Sequence, residues 1–309
     1  MNVLVMGAGG VGGYLGGLLG RAGHRLTVIA RGPHLDALQS RGLRVETAVE
    51  EPFELPVHAL PAPEPDVVAD LVLFTVKSYD VEEAIARIQL AIGPNTTVLT
   101  LLNGVDSGEQ LAAAFGPERV LDGAIYVESL IRAPGVVAQV GGPRRVVFGN
   151  RHAASGPRER RMLDAFVSAG WNVELSENVL GQLWSKFAYL GPFAAVNTIT
   201  GLGPAKLCSE EHCGRLMHTV VSEYVAVGNA EGAELPTEAV ERTMASLSQA
   251  SVGMSSMLRD RIAGKRLESD ALVGTVVRRG AAHSVPTPVT ESLYCLLGPM
   301  ANGGATTLG

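Results

Sequence analysis

The sequence is poor in cysteine, in charge and in long apolar stretches. Its three cysteines are an odd number and too few for a disulfide scaffold, which indicates free thiols and a cytoplasmic protein. Lys and Arg number 25 against 31 Asp and Glu, a net charge of −6, and no basic run is interleaved with aromatic residues. We therefore expect no nucleic-acid partner, because phosphate backbones bind basic surfaces.

The first twenty residues carry no charge and invite comparison with a membrane or secretion segment. Eight of them are glycines, and no Lys or Arg precedes the apolar residues. A signal peptide has a basic start and a compact apolar centre, and a membrane span needs roughly 20 apolar residues. We expect neither a signal peptide nor a membrane partner.

With 309 residues, of which 46% are hydrophobic, the chain is long for one core and predicts two domains. Strand patterns alternate with helix patterns up to about residue 176, which is typical of a doubly wound, largely parallel α/β sheet. Long helical patterns fill the remainder. We predict a dinucleotide-binding α/β domain over 1–176 and an all-helical domain over 177–309.

The predicted elements follow from periodicity. Five prolines exclude a helix over 44–66, which we expect to hold irregular strands and loops. The predicted strands are Asn2–Met6, Arg25–Ala30, Asp70–Val76, Thr97–Leu102, Val120–Val127, Val136–Gln139 and Arg145–Phe148. The predicted helices of the second part are Leu180–Tyr189, Glu210–Glu231, Thr237–Ser248, Ala271–Ala281 and Val289–Leu297.

A glycine-rich motif follows the first strand and opens a helix, the context that a dinucleotide site requires. We expect Gly7 to permit the turn, Gly9 to let a pyrophosphate approach the backbone, and Gly12 to let helix and strand pack closely. The phosphates would lie on the free N–H groups of the helix start. The cofactor-binding prediction covers Gly7, Ala8, Gly9, Gly10, Val11 and Gly12. A glycine-rich helix start without ligand is the alternative.

The end of the second strand indicates which dinucleotide is bound. It reads Ile29-Ala30-Arg31 and lacks the Asp or Glu that commonly holds the ribose hydroxyls of NAD. A guanidinium suits a 2′-phosphate instead, so Arg31 predicts NADP(H). The alternative for Arg31 is a solvated surface arginine.

Three further residues are candidates by position. Lys77 and Asn103 follow two parallel strands at the sheet edge where ligands bind, although a surface lysine and an Asn-Gly turn would give the same pattern. Lys186 lies in an apolar helix, Leu183-Trp-Ser-Lys-Phe187, as a snorkelling group or as a partly buried ammonium with a lowered pKa. Cys208, His212 and Cys213 lack a second cluster, so we predict no metal site.

Taken together, these residues resemble the ketopantoate reductase family, the 2-dehydropantoate 2-reductases. The resemblance rests on the ordered set Gly7–Gly12, Ala30-Arg31-Gly32, Thr75-Val-Lys77, Leu102-Asn-Gly-Val105, Leu183–Phe187 and Ser255-Ser256-Met257 through Asp260 to Glu268. It implies a Rossmann domain followed by a helical domain, and NADPH-dependent reduction of a 2-oxo acid in pantothenate biosynthesis.

The resemblance also implies residue roles. Lys186 matches the general acid, and Glu268 the acid that supports substrate and cofactor near it. Asn103 matches a residue that touches both the nicotinamide and the substrate, and Ser256 a contact to the substrate carboxylate. Lys77 is expected at the cofactor, and Asn197 is the nearest asparagine after Lys186 that could contact substrate. A small-molecule 2-oxo acid is thus the expected partner, and the helical part leaves a homodimer open.

The chain departs from the family pattern where asparagines are expected to hold the far hydroxyl of ketopantoate. Those positions are Leu190, Ala194 and Gly253 here. A buried hydroxyl without partners binds poorly, so one alternative is a relative that acts on a more apolar 2-oxo or 2-hydroxy acid. Another is a regulator that senses NADPH without turnover, although a sensor needs no general acid.

Overall fold

The computed structural model describes residues 1–64, 67–250 and 253–304. One of the five prolines taken to exclude a helix over 44–66, Pro65, lies outside these residues. The chain forms two compact units, one of 1–102 and 107–179, the other of Asn103–Asp106 and the described part of 180–309. The division after Val179 is close to the predicted boundary at 176/177. The sequence did not indicate that Asn103–Asp106 belongs with the second unit.

The first unit is built on one twisted sheet with the neighbour order β4-β3-β9-β8-β7-β6-β1-β2-β5, and β10 pairs with β9. Within the described residues, all pairings are parallel except β3–β4 and β8–β9, as the alternating pattern predicted. The strands are β1 Asn2–Met6, β2 Arg25–Ile29, β3 Leu43–Glu46, β4 Phe53–Leu55, β5 His58–Leu60, β6 Leu71–Phe74, β7 Thr97–Thr100, β8 Val120–Ala133, β9 Val136–Gly149 and β10 Asn172–Leu175.

Helices cover both faces of this sheet, because its central strands are apolar on both sides. Along β1, Val3 and Val5 enter one hydrophobic cluster, and Leu4 and Met6 enter another. The first cluster takes side chains from α1 and α5, the second from α3 and α4. The helices are α1 Gly10–Arg21, α2 Gly32–Arg41, α3 Val81–Ile88, α4 Ser107–Phe115 and α5 Pro157–Ser168, with 3-10 turns at Ser78–Asp80, Gln89–Ala91 and Pro117–Arg119.

Of the predicted strands, the first four end within two residues of the observed ones, and the last three were wrong in extent. Val120–Val127 continues to Ala133, and Val136–Gln139 and Arg145–Phe148 are two parts of the single strand β9. The two long strands pair antiparallel, and the ladder shifts register near Glu128. A bulge absorbs Gly141 and Gly142, which lie between the two predicted strands, and Gly142 has a φ of +83°.

The described part of the second unit is helical, as predicted. Its helices are α6 Val179–Thr200, α7 Pro204–Ser209, α8 Glu211–Ala230, α9 Ala239–Gln249, α10 Ser256–Ile262, α11 Thr275–Ala282 and α12 Pro288–Leu297, with a π-helical turn at Asp270–Gly274 and a 3-10 turn at Gly298–Met300. The π-helical turn continues directly into α11, a feature that periodicity did not reveal.

Helix α6 is longer than the sequence predicted. The pattern ended at Tyr189, before Gly191-Pro192, yet the helix continues through Pro192 to Thr200. Proline removes one backbone hydrogen bond from a helix interior. Here Phe193, Ala194, Ala195 and Val196 beyond it are all at most 6% exposed, and their burial offsets that loss.

At Gly12, the first turn of α1 packs against β1 and the end of β6 so closely that only glycine is accommodated. A Cβ at Gly12 would overlap the carbonyl oxygen of Gly7 and the hydroxyl of Thr75. A Cβ at Gly9 would have nothing within 4 Å.

We predict that Gly12→Ala lowers the free energy of unfolding by about 1–3 kcal/mol, as overpacking does.

Gly9→Ala is the matched control, because the same methyl group enters open space at a φ of −71°. Its free energy of unfolding should stay within about 0.5 kcal/mol of the unsubstituted protein. Urea denaturation of both variants measures the difference. Equal stability of the two variants would contradict the packing assigned to Gly12.

Candidate active site

The glycine motif forms a tight turn between β1 and α1. Gly7 has a φ of +102°, and a Cβ there would be 2.8 Å from the carbonyl carbon of Thr75. Both facts exclude other residues, because L side chains avoid this region and the backbone of the β6 end is in the way. The chain therefore turns sharply off the sheet edge and enters the helix at Gly10.

The start of α1 has the properties of an anion site. The N–H groups of Gly10, Val11 and Gly12 are in the first turn, where a helix has no internal partners for them. That turn contains no acidic residue, and the space beside Gly9 is open. The positive end of the helix dipole adds to the attraction. Ala8 is buried beneath the turn. These residues can hold the diphosphate of a dinucleotide.

Arg31 directly precedes α2 and is 77% exposed at its side chain. Its Nη2 lies 3.1 Å from the Oδ2 atom of Asp80, in the 3-10 turn after β6. The sequence showed no acid near the end of β2, so it missed this carboxylate, which comes from 49 positions further along the chain. Arg31 can thus meet a phosphate, but an aspartate competes for it.

Lys77 and Asn103 follow β6 and β7, as predicted. Lys77 is half-buried and immediately precedes the 3-10 turn Ser78–Asp80. Asn103 belongs to the second unit, where its Oδ1 atom accepts a hydrogen bond of 2.9 Å from the Nζ atom of Lys186. Two candidate residues that are 83 positions apart in the sequence are therefore in direct contact.

Lys186 has a pKa that its surroundings lower. It projects from the apolar helix α6 and is half-buried. Removal of water from its ammonium group lowers the pKa of Lys186 to about 8, from a usual value near 10.4. A lysine in this range holds a proton at neutral pH and releases it readily, as a general acid must.

A helix break separates Ser256 from Glu268 along the chain, as expected. Ser256 is the first residue of α10, after Ser255, whose side chain caps the helix. That helix ends at Ile262, and Gly264 follows with a φ of +64°. Glu268 is only 7% exposed, and its carbonyl accepts from the N–H group of Leu272. A buried carboxylate therefore stands at the start of the π-helical turn.

The amide of Asn197 joins two backbone segments. Its Nδ2 atom donates to the carbonyl of Leu202 at 2.8 Å, and its Oδ1 atom accepts from the N–H group of Ser255 at 3.0 Å. Asn197 is 1% exposed, so these bonds form away from water. The arrangement favours a role in holding the Ser255-Ser256 segment on α6, and a direct substrate contact remains a prediction.

The described residues form neither a metal site nor a membrane span. No group of three or more His, Cys, Asp or Glu side chains there is arranged to hold a metal ion. In the same part of the chain, every helix is too short or too polar to span a bilayer.

Comparisons with known proteins cover almost the whole chain. The family model described as ketopantoate reductase PanE/ApbA matches residues 3–153, and its C-terminal counterpart matches residues 178–301. The 2-dehydropantoate 2-reductase of Caulobacter vibrioides is 32% identical over 97% of this chain and 99% of that protein.

Comparison with solved structures gives the same family. A PanE/ApbA family ketopantoate reductase from Ralstonia eutropha JMP134 superimposes with a TM-score of 0.90 at 34% identity, over 97% of this chain and 98% of that one. D-mandelate dehydrogenase with NADH and anilino(oxo)acetate has a TM-score of 0.87 at 24% identity, with 97% of both chains covered, which shows a shared fold. The resemblance inferred from the sequence is confirmed, and the chain belongs to the ketopantoate reductase family of oxidoreductases.

Proposed function

We propose that this protein is an NADPH-dependent 2-oxo acid reductase, and that it reduces 2-dehydropantoate to pantoate. The observation that carries the proposal is the contact between Lys186 and Asn103, together with the lowered pKa of that lysine. A reductase needs a proton donor beside the carbonyl oxygen, whereas a protein that only binds the cofactor does not.

The chemistry divides between cofactor and protein. The reduced nicotinamide, when bound, supplies the hydride that forms the new C–H bond at the ketone carbon. As the carbonyl π bond breaks, negative charge develops on its oxygen, and the cationic Lys186 stabilises that charge and transfers its Nζ proton to form the hydroxyl. Asn103 holds the ammonium group through its amide oxygen, so its amide nitrogen remains a donor for the substrate.

The other candidate residues take supporting roles in this proposal. The hydroxyl of Ser256 binds the substrate carboxylate, and Glu268 supports substrate and cofactor near the lysine. The turn Gly7–Gly12 and Lys77 bind the cofactor phosphates, and Arg31 binds the 2′-phosphate. The exposed guanidinium of Arg31 can reach an incoming anion without first losing a buried contact.

A second candidate function differs in the substrate. On α6, Leu190 and Ala194 follow Lys186 by one and two turns with apolar side chains. A Cβ at Gly253 would be 3.1 Å from Pro204 Cδ and 3.2 Å from Phe193 Cζ, so even a methyl group there would require these neighbours to shift. These three positions favour a 2-oxo acid with an apolar side chain over the hydroxyl-bearing 2-dehydropantoate.

The test of the function is NADPH oxidation with a panel of 2-oxo acids: 2-dehydropantoate and several branched and aromatic ones. We expect turnover, and we expect Lys186→Ala to lower kcat by about 10²–10⁴-fold with little change in the Kd for NADPH. Lys206→Ala is the control, because that lysine is exposed on α7.

Each outcome of the panel has a meaning. The highest kcat/KM with 2-dehydropantoate supports the first candidate, and a higher value with an apolar 2-oxo acid supports the second. Tight NADPH binding without oxidation by any member would favour a sensor. Unchanged turnover in Lys186→Ala would remove the lysine from the mechanism.

The pH dependence of turnover follows from the lowered pKa of Lys186, about 8. Reduction needs the protonated lysine, so kcat should fall about tenfold per pH unit once the pH has risen above this value. Oxidation of the hydroxy acid needs the neutral lysine and should gain rate over the same range. Lys186→Arg keeps its charge at all these pH values and should lose the alkaline fall. A reduction rate that stays flat to pH 10 would contradict the assignment.

Cofactor choice can be tested without turnover. Arg31→Ala should weaken NADPH binding by about 10–100-fold, the worth of charge-assisted hydrogen bonds, and leave NADH binding unchanged. Asp80→Asn should strengthen NADPH binding, because the competing carboxylate is lost. Fluorescence titration gives the Kd values, and Arg41→Ala, at the other end of α2, is the control. An equal loss for both cofactors would contradict the role of Arg31.

A further inference from the structure

The segment that carries Asn103 ends in a strongly held carboxylate. We call Asn103–Asp106 the Asn103 loop. The Oδ1 atom of Asp106 accepts from Arg279 at both Nε (3.0 Å) and Nη2 (2.7 Å), and its Oδ2 atom accepts from the hydroxyl of Thr275. Both partners are in α11, so one carboxylate fixes the end of the loop to the first turns of that helix.

Arg279 is itself held from the other side. Its Nη1 atom donates to Glu231 at the end of α8, and the other oxygen of Glu231 lies 2.7 Å from the Nε2 atom of His283. The side chains of Arg279 and Glu231 are only 17% and 13% exposed. Water screens such a pair less than a surface pair, and loss of one partner leaves a poorly solvated charge.

The backbone of the Asn103 loop has little freedom between its two ends. Gly104 has a φ of +97°, and a Cβ there would be 3.3 Å from the carbonyl oxygen of Ala271 in the π-helical turn. Val105 is 2% exposed. The loop therefore packs against the segment that begins at Glu268 and continues into α11, and Asp106 sets its register on that segment.

The other end of the loop presents Asn103 to Lys186. A lysine ammonium is carried on a flexible four-carbon stem, so its position depends on the acceptor that holds it. One such acceptor is the Oδ1 atom of Asn103, at 2.9 Å. Its place depends in turn on Asp106, three residues further along the loop.

We propose that Asp106, Thr275 and Arg279 are positioning residues, which hold the Asn103 loop so that Asn103 fixes the ammonium group of Lys186 for proton transfer. The proposal rests on the proposed function, in which Lys186 is the proton donor. The same contacts hold the loop against the segment that follows Glu268. They therefore position both Lys186 and Glu268. A misplacement of about 1 Å can lower a rate by about 10²-fold.

The activity test uses conservative variants. Asp106→Asn and Thr275→Val should lower kcat by about 10-fold or more, with smaller changes in KM, because they displace Asn103 and with it the lysine, whereas Ser256, the proposed contact to the substrate carboxylate, stays in place. Thr275→Ser keeps the hydroxyl and should restore kcat to within about twofold of the unsubstituted protein. A low kcat in Thr275→Ser as well would overturn the role of that hydrogen bond.

Glu223→Gln is the matched control. Glu223 is another buried carboxylate of this unit, and it accepts from the N–H groups of Val289 (3.0 Å) and Thr290 (2.7 Å) at the start of α12. Its variant should lower Tm and leave kcat unchanged. If kcat in Glu223→Gln falls as far as in Asp106→Asn, general destabilisation explains both, and the proposal is overturned.

A double-mutant cycle tests whether Asp106 acts through Asn103. In an Asn103→Ala background, Asp106→Asn should lower kcat less than twofold further, because the link is already broken. A full additional loss would mean that Asp106 acts on catalysis by another route, and would overturn the proposal.

A readout that needs no turnover separates this inference from the proposed function. The chain contains four lysines, Lys77, Lys186, Lys206 and Lys265, so lysine-selective NMR gives a signal for Lys186 that Lys186→Arg assigns. The pKa of Lys186 obtained from this signal should shift in the same direction in Asp106→Asn and Asn103→Ala. It should stay unchanged in Glu223→Gln. An unchanged Lys186 signal in Asp106→Asn overturns the proposal. A shifted signal in a protein that turns over no 2-oxo acid supports the positioning link and defeats the proposed function.

Discussion

The hydrogen bond from Lys186 to Asn103 is the interaction on which the candidate chemistry depends. Burial lowers the pKa of the lysine, which weakens its hold on the proton. The amide oxygen of Asn103 opposes that effect, because it stabilises the ammonium form and gives it a direction. In the proposed mechanism the pair keeps a reactive proton at a defined place, and helices of the second unit support it.

Helix α6 supports Lys186 through its aromatic face. The rings of Trp184 and Phe187 lie 5.5 Å apart, and Phe187 lies 5.1 Å from Tyr224 of α8. Gly228 of α8 faces the indole of Trp184 so closely that a Cβ would be 2.9 Å from its Cδ2 atom. The hydroxyl of Tyr224 donates to the carbonyl of Leu272 in the π-helical turn. Helix α8 therefore fixes both the lysine helix and the segment behind Glu268.

Short-range sequence patterns predicted much of the fold and the glycine turn of the candidate site, but not its long-range contacts. The turn at Gly7 follows from residues within one βαβ unit, and the strand and helix periods carry their own evidence. The pairing of Asp80 with Arg31 and of Arg279 with Asp106 spans 49 and 173 positions, and a single sequence gives no sign of such contacts. The length of α6 was not predictable for a related reason. Tertiary burial of the residues beyond Pro192 outweighs the helix-breaking effect of that proline.

A lysine with a pKa near 8 represents a balance between two requirements. With the usual value near 10.4 it would be fully protonated at pH 7 but a weak acid, and with a value near 6 it would be a stronger acid that is mostly unprotonated. At about 8, roughly nine lysines in ten carry the proton at pH 7, and the energy needed to release it is reduced. In the proposed reaction, the remaining positive charge stabilises the developing alkoxide. Burial sets the proton affinity, and in our proposal the Asn103 loop sets the direction, so a change that only moves the loop impairs transfer more than it impairs binding.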